Sequence, residues 1–121
     1  MKTQEKNLKE LIKSMNQAFD ARQWQKFHSP KNLTMTLGSE VGELLDEFRW
    51  LTEDESYEIS GDKRQSIKDE IGDVFMVITH LADKLGIDPV EAAFHKLKKL
   101  DEKYPVELCQ GKNEKYSFYK K

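Results

Sequence analysis

An acid, an apolar residue, a glycine and a second acid occur in that order twice in the chain, as Glu40-Val41-Gly42-Glu43 and as Glu70-Ile71-Gly72-Asp73. Residues three apart on a helix stand on the same face, so each copy aims two carboxylates in one direction. Four hard oxygen donors, Glu40, Glu43, Glu70 and Asp73, are then able to converge on one cation. Glycine in a helix interior costs about 1 kcal/mol relative to alanine. One between the acids of each pair suggests that two helix backbones approach closely there. Charged residues at this spacing usually form a solvated helix face. Two features set this case apart: the acids recur in matched form, and Glu47 extends the first row with no basic residue at the intervening helical neighbours. Like charges on one face destabilise a helix unless a cation sits among them. Oxygen donors without Cys or His at ligand spacing favour Mg²⁺, with Mn²⁺ as a substitute, over zinc. A di-iron carboxylate bundle would need Glu-x-x-His on two helices, and neither pair supplies it. His80, beyond Asp73, reads as a partly buried histidine.

Magnesium held by carboxylates keeps positions open for water and substrate phosphates, so phosphate-ester chemistry is the reaction class implied. The segment from Trp24 to Asn32 places Trp24, Phe27, His28, Lys31 and Asn32 just before the first acidic pair. Aromatic faces stack on nucleobases, and Lys31 and Asn32 at a helix N-terminus suit anionic oxygen. Packing at a helix corner accounts for Trp24 and Phe27 equally well. Trp50 lies off the apolar stripe of its helix and is a candidate to face ligand; Lys96 is a weaker candidate for phosphate or sugar contact.

The elements that must position these residues follow from periodicity. Leu8, Leu11, Ile12, Met15, Ala18 and Phe19 recur at helical spacing, predicting a first helix from about Thr3 to Trp24. Ser29-Pro30 is a cap and first-turn pair for a second helix with the stripe Leu33, Leu37, Val41, Leu44, Phe48 and Leu51. Thr52 to Asp62 reads as an exposed loop. Ile67 to Leu85 marks a third helix, with Gly86 suited to its C-terminal cap, and Asp88-Pro89-Val90-Glu91 opens a fourth. The expected architecture is all-α, a four-to-five-helix bundle over residues 1–105, followed by a polar and aromatic tail over 106–121 without clear periodicity. The apolar stripes offer more surface than 121 residues easily cover, so the core should be completed in a homodimer or homotetramer.

The totals agree with one domain. Twenty basic residues against twenty-two acidic ones leave a net charge of −2, with signs interspersed, which gives no footprint for nucleic acid or an anionic membrane. No apolar run approaches the roughly 20 residues of a spanning helix, and the stretch Met1 to Glu10 has no signal-peptide core. Cys109 stands alone, so no internal disulfide forms. A cytoplasmic, unsecreted protein is expected.

Taken together the motifs resemble the all-α nucleoside triphosphate pyrophosphohydrolases of the MazG type, with their ExxE on one helix and ExxD on the next. The likeness is nearer still to the dCTP pyrophosphatase branch. It rests on Arg22, Trp24, Phe27, His28, Pro30, Asn32 and Leu33, on Glu40, Glu43, Leu44, Phe48 and Trp50, on Glu70, Asp73 and Val74, and on Lys103-Tyr104-Pro105-Val106. It spans about Leu11 to Val106, with a fainter echo at Lys115-Tyr116-Ser117. The resemblance implies Mg²⁺-dependent hydrolysis of an NTP or dNTP to the monophosphate and pyrophosphate, in an oligomer whose sites lie between subunits. It also implies that Glu40, Glu43, Glu70 and Asp73 hold the metal while Trp24, His28 and Trp50 bracket the base. Leu100 and Met15 stand where the branch often carries Asn and His, departures that bear on base and sugar choice. A non-catalytic helical module binding a nucleotide or a protein through the same cleft is the competing reading; it would not require four carboxylates.

Overall fold

The computed structural model describes residues 6–119, and every regular element among them is helical. Four are long: α1 (Leu8–Ala21), α2 (Pro30–Phe48), α4 (Gly61–Lys84) and α5 (Pro89–Lys103). Three are single turns: α3 (Glu53–Ser56), α6 (Val106–Cys109) and α7 (Tyr116–Tyr119). The chain divides into two compact units, Met1–Gly86 and Ile87–Lys121.

In the first unit α2 packs along α4, and α1 packs on α4. Glu40 meets Glu70, and seven residues further along α2 Glu47 meets Lys63, seven residues back along α4. That is the register of an antiparallel pair. The buried apolar residues are Met15, Leu33, Ile67 and Ala82, one or two from each helix. Met15, one of the two departures from the branch pattern, is therefore a core residue.

The helix ends follow their local chemistry. Asn7 caps α1 by accepting from the Glu10 N–H, and Ser29 caps α2 by accepting from Asn32 with Pro30 at the first turn. Thr3, where periodicity starts the first helix, lies outside the described residues. At its other end α1 stops before Trp24, because Gln23 takes a left-handed conformation (φ 55°). The Trp24 N–H donates to the Phe19 carbonyl at 2.9 Å and the Gln23 N–H to that of Asp20 at 3.0 Å, a Schellman closure with glutamine where glycine is usual. A 3₁₀ turn, Gln25–Phe27, then leads into α2.

Two expectations are corrected. The stretch after Thr52 is no simple loop, since Thr52 and Glu55 cap each other reciprocally and wind α3. Nor do the glycines mark a close approach within the chain: a Cβ at Gly42 or Gly72 would meet nothing within 4 Å. The interface between α2 and α4 runs along the acids' side of the helices.

The second unit is held by aromatic contacts that periodicity could not show. Asp88 caps α5 by accepting from Val90 and Glu91. The Tyr104 hydroxyl accepts from the Tyr116 N–H at 3.0 Å, and its ring meets those of Tyr116 and Tyr119 edge-on. The Tyr119 hydroxyl donates to Glu114 at 2.9 Å; burial and that carboxylate push it up to about 12.

Candidate active site

Glu40 and Glu43 come from the middle of α2 and Glu70 from the facing stretch of α4; one oxygen of each lies within 4.8 Å of the others. Asp73, a helical turn beyond Glu70, stands outside that radius but shares a cleft wall with Glu40. While the acids are ionised, Oε2 of Glu40 and Oε2 of Glu70 are shielded from solvent and have no hydrogen-bond partner among the described residues. The cost shows in their titration. Glu40 is raised above the ordinary carboxylate value by burial, then by Glu43 and Asp73. Glu70 is raised by burial, then by Glu43, Asp73 and Glu40. Charge of one sign held together away from water calls for an opposite charge from outside. The donor set is oxygen only and the orphaned oxygens are the right acceptors, so these side chains fit a hard divalent cation.

Glu47, which lengthens the acidic row in sequence, does not belong to the cluster. Lys63 of α4 pairs with it at 3.3 Å, a compensation that reading along α2 alone misses.

Beside the acids lies a cleft of about 300 Å³, whose lining includes Glu40 and Asp73 together with Phe19, Trp24, His28 and His80. Trp24 reaches it because the closure at Gln23 turns the chain back over Phe19, whose ring lies nearly parallel to the indole, 6.4 Å between centroids. Arg22 sits over the outer side of the indole, 5.6 Å from its centre. His28 follows the 3₁₀ turn; its Nδ1 is 3.1 Å from Nε2 of His80 on α4. The Phe19 ring meets His28 edge-on at 4.7 Å and His80 at 4.8 Å. Behind them the Gln25 amide donates to Asn16, and the Asn16 amide donates to Asp83 at 3.0 Å, tying the turn to α1 and α4.

The structure thus gathers Trp24, His28, Glu40, Glu43, Glu70 and Asp73 in one region and leaves four candidates apart. Asn32 spends its side chain on the Phe27 carbonyl, fixing the turn rather than facing the cleft. Lys31 is exposed on the first turn of α2. Trp50 is 81% exposed under Arg49 at the far end of α2 and does not line the cleft. Lys96 is exposed on α5, in the other unit. The residue sequence reasoning undervalued is His80, 2% exposed and facing His28 from 52 residues away. Its position on the α4 face with Asp73, seven residues back, is visible in the sequence, but its partner is not.

Comparison with known proteins places this geometry. The MazG-like family model matches residues 35–117. dCTP pyrophosphatase 1 of Bos taurus and of Homo sapiens are each 32% identical over 109 residues, 88% of this chain and 64% of theirs. The chain thus spans a little under two thirds of the length of these curated relatives. The crystal structure of a pyrophosphatase from Archaeoglobus fulgidus aligns with a TM-score of 0.77 at 34% identity, over 87% of this chain and 98% of that one.

Proposed function

Since the chain belongs to the MazG-like family, we propose that it is a Mg²⁺-dependent nucleoside triphosphate pyrophosphohydrolase. It converts an NTP or dNTP, with dCTP or a related pyrimidine nucleotide as the preferred substrate, to the monophosphate and pyrophosphate. One observation carries this reading: carboxylates of two helices converge beside a cleft walled by an indole and an imidazole.

Glu40, Glu43 and Glu70, with Asp73 completing the set, would hold the ion. When bound, Mg²⁺ neutralises the triphosphate and lowers the pKa of coordinated water. The protein's own groups do the rest. Trp24 would stack on the base in place of Arg22, an interaction worth on the order of 1–3 kcal/mol and tolerant of base identity. His28 offers a polar edge in the same wall. A carboxylate of this set would orient an attacking water at the α-phosphorus and take its proton.

The same reading includes a homodimer or homotetramer in a reducing cytoplasm, where Cys109 remains a free thiol. Val41 and Leu45 on α2 and Ile71 and Phe75 on α4 are each about half exposed or more, an apolar surface that a second copy would cover. Gly42 and Gly72 leave room on these helices for a close neighbour. Lys31 and Trp50 enter the site, on this view, through assembly.

Product analysis across a panel of nucleoside triphosphates with Mg²⁺ tests the activity: pyrophosphate and a monophosphate are expected, with loss of turnover in EDTA. Release of orthophosphate, or undiminished hydrolysis in EDTA, would sink it. Light scattering is expected to give a multiple of the monomer mass at micromolar concentration.

A further inference from the structure

We propose that His80 is a positioning residue that fixes the tautomer of His28, so that His28 meets the ligand of the cleft as a hydrogen-bond donor through Nε2. The inference rests on the reading that this cleft takes the nucleobase.

A neutral imidazole has one N–H and one bare nitrogen. Two arrangements are compatible with the 3.1 Å contact between His28 Nδ1 and His80 Nε2. If His28 donates, His80 must carry its own proton on Nδ1. That atom is shielded from solvent and has no hydrogen-bond partner among the described residues, so the N–H would be stranded. If His80 donates from Nε2, the stranded atom is a bare lone pair. Buried N–H groups without acceptors are rarer in folded proteins than acceptors left short of a donor. The second arrangement is therefore preferred, and it leaves His28 with its proton on Nε2.

The surroundings keep both rings neutral and still. His80 is 2% exposed, and its pKa is lowered by burial, then by His28 and Lys84, against the opposing Asp83. That of His28 is lowered by burial and then by Lys84. Phe19 lies against both rings and limits their rotation. With Nδ1 engaged and the ring lining the cleft, Nε2 is the nitrogen left to a ligand.

A donor at this place selects the complementary chemistry. The base edge facing His28 must present an acceptor, a carbonyl oxygen or an unprotonated ring nitrogen; an amino group or a ring N–H there would meet a proton. Selectivity in the cleft thus depends on a residue, His80, that reaches the ligand through another side chain.

Proton–nitrogen correlation spectra of the histidine rings test this without turnover. In the metal-free wild-type protein His28 and His80 are both expected as Nε2–H tautomers. In His80→Phe the constraint on His28 is gone and its ring should become a mixture of tautomers. With Mg²⁺ present, KM for dCTP should rise by roughly five- to tenfold in His80→Phe, the worth of one ordinary hydrogen bond. The change in kcat should be smaller. A wild-type His28 carrying its proton on Nδ1 overturns the proposal even if His80→Phe fails to fold. So does a pure Nε2–H form that persists in His80→Phe. If the tautomers are as stated but an α,β-imido analogue of dCTP leaves the His28 resonances unmoved, the assignment of the base to this cleft is what fails, and the donor role toward the ligand falls with it.

Discussion

Two clusters at one cleft bring like groups together, with opposite results. In one, Glu40, Glu43 and Glu70 face each other as acceptors only, and two of their oxygens remain without a partner among the described residues. In the other, His28 and His80 also meet like with like, but an imidazole carries both a donor and an acceptor, so the two rings share one hydrogen bond. A pair that bonds to itself sets geometry; a cluster of acceptors alone waits for a ligand. Further along the α2–α4 pair, Glu47 and Lys63 show the ordinary resolution of opposite charge.

The sharpest way to break the comparison is to remove one acid. Glu70→Gln should lower kcat/KM by on the order of 10²–10³-fold or more, as expected for losing a group that acts on charge developing at the reacting centre. The same change should raise the Tm of the metal-free protein, because it relieves like-charge repulsion. A metal-free Tm that fell would mean that the cluster is held by contacts other than those described.

The histidine wall responds to pH in its own way. The folded-state pKa of His80 lies below the ordinary 6.5, so the unfolded chain takes up its proton first. The stability that depends on neutral His80 is therefore complete above pH 6.5 and is lost as pH falls toward the folded value. The slope contributed is at most about 1.4 kcal/mol per pH unit for the one proton. Denaturant titrations of wild type and His80→Phe between pH 7 and pH 5 should converge as pH falls; parallel curves would show that His80 does not carry this dependence.

The smallest effect belongs to the opposite-charge pair. Lys63→Met should cost no more than about 0.5 kcal/mol, since both partners are partly solvated. Turnover should be almost unchanged. A large loss of activity would extend the functional acidic row to Glu47.

How much of this was written in the sequence depended on the range of the cause. Helix α2 was legible because Ser29, Pro30 and the apolar stripe act within a few residues of one another, and Gly86, at φ 67°, follows α4 as expected of a terminator. The matched acids announced a shared face, and α2 and α4 do bring Glu40, Glu43 and Glu70 together. Helix α3 was missed because four residues cannot show a period, although its Thr52 and Glu55 cap was present in the letters. The partnerships of Glu47 with Lys63 and of His28 with His80 were invisible because they are created by packing between distant segments. Trp50 drew attention as an aromatic off the stripe, yet in the folded chain it stands outside the cleft that Trp24 lines.

The closure at the end of α1 carries a consequence for how this protein can vary. Phe19 touches Trp24, His28 and His80, and the Gln23 turn brings the first of them back over the ring. From there the 3₁₀ turn runs directly into the Ser29 cap. No slack remains between Phe19 and Ser29: one residue more or fewer would rotate the indole and the imidazole away from the ring that gauges both. Side chains such as Lys26, exposed on the turn, are free to differ. The segment can drift in composition but not in length, and its residue count is as much a part of the cleft as any group that lines it.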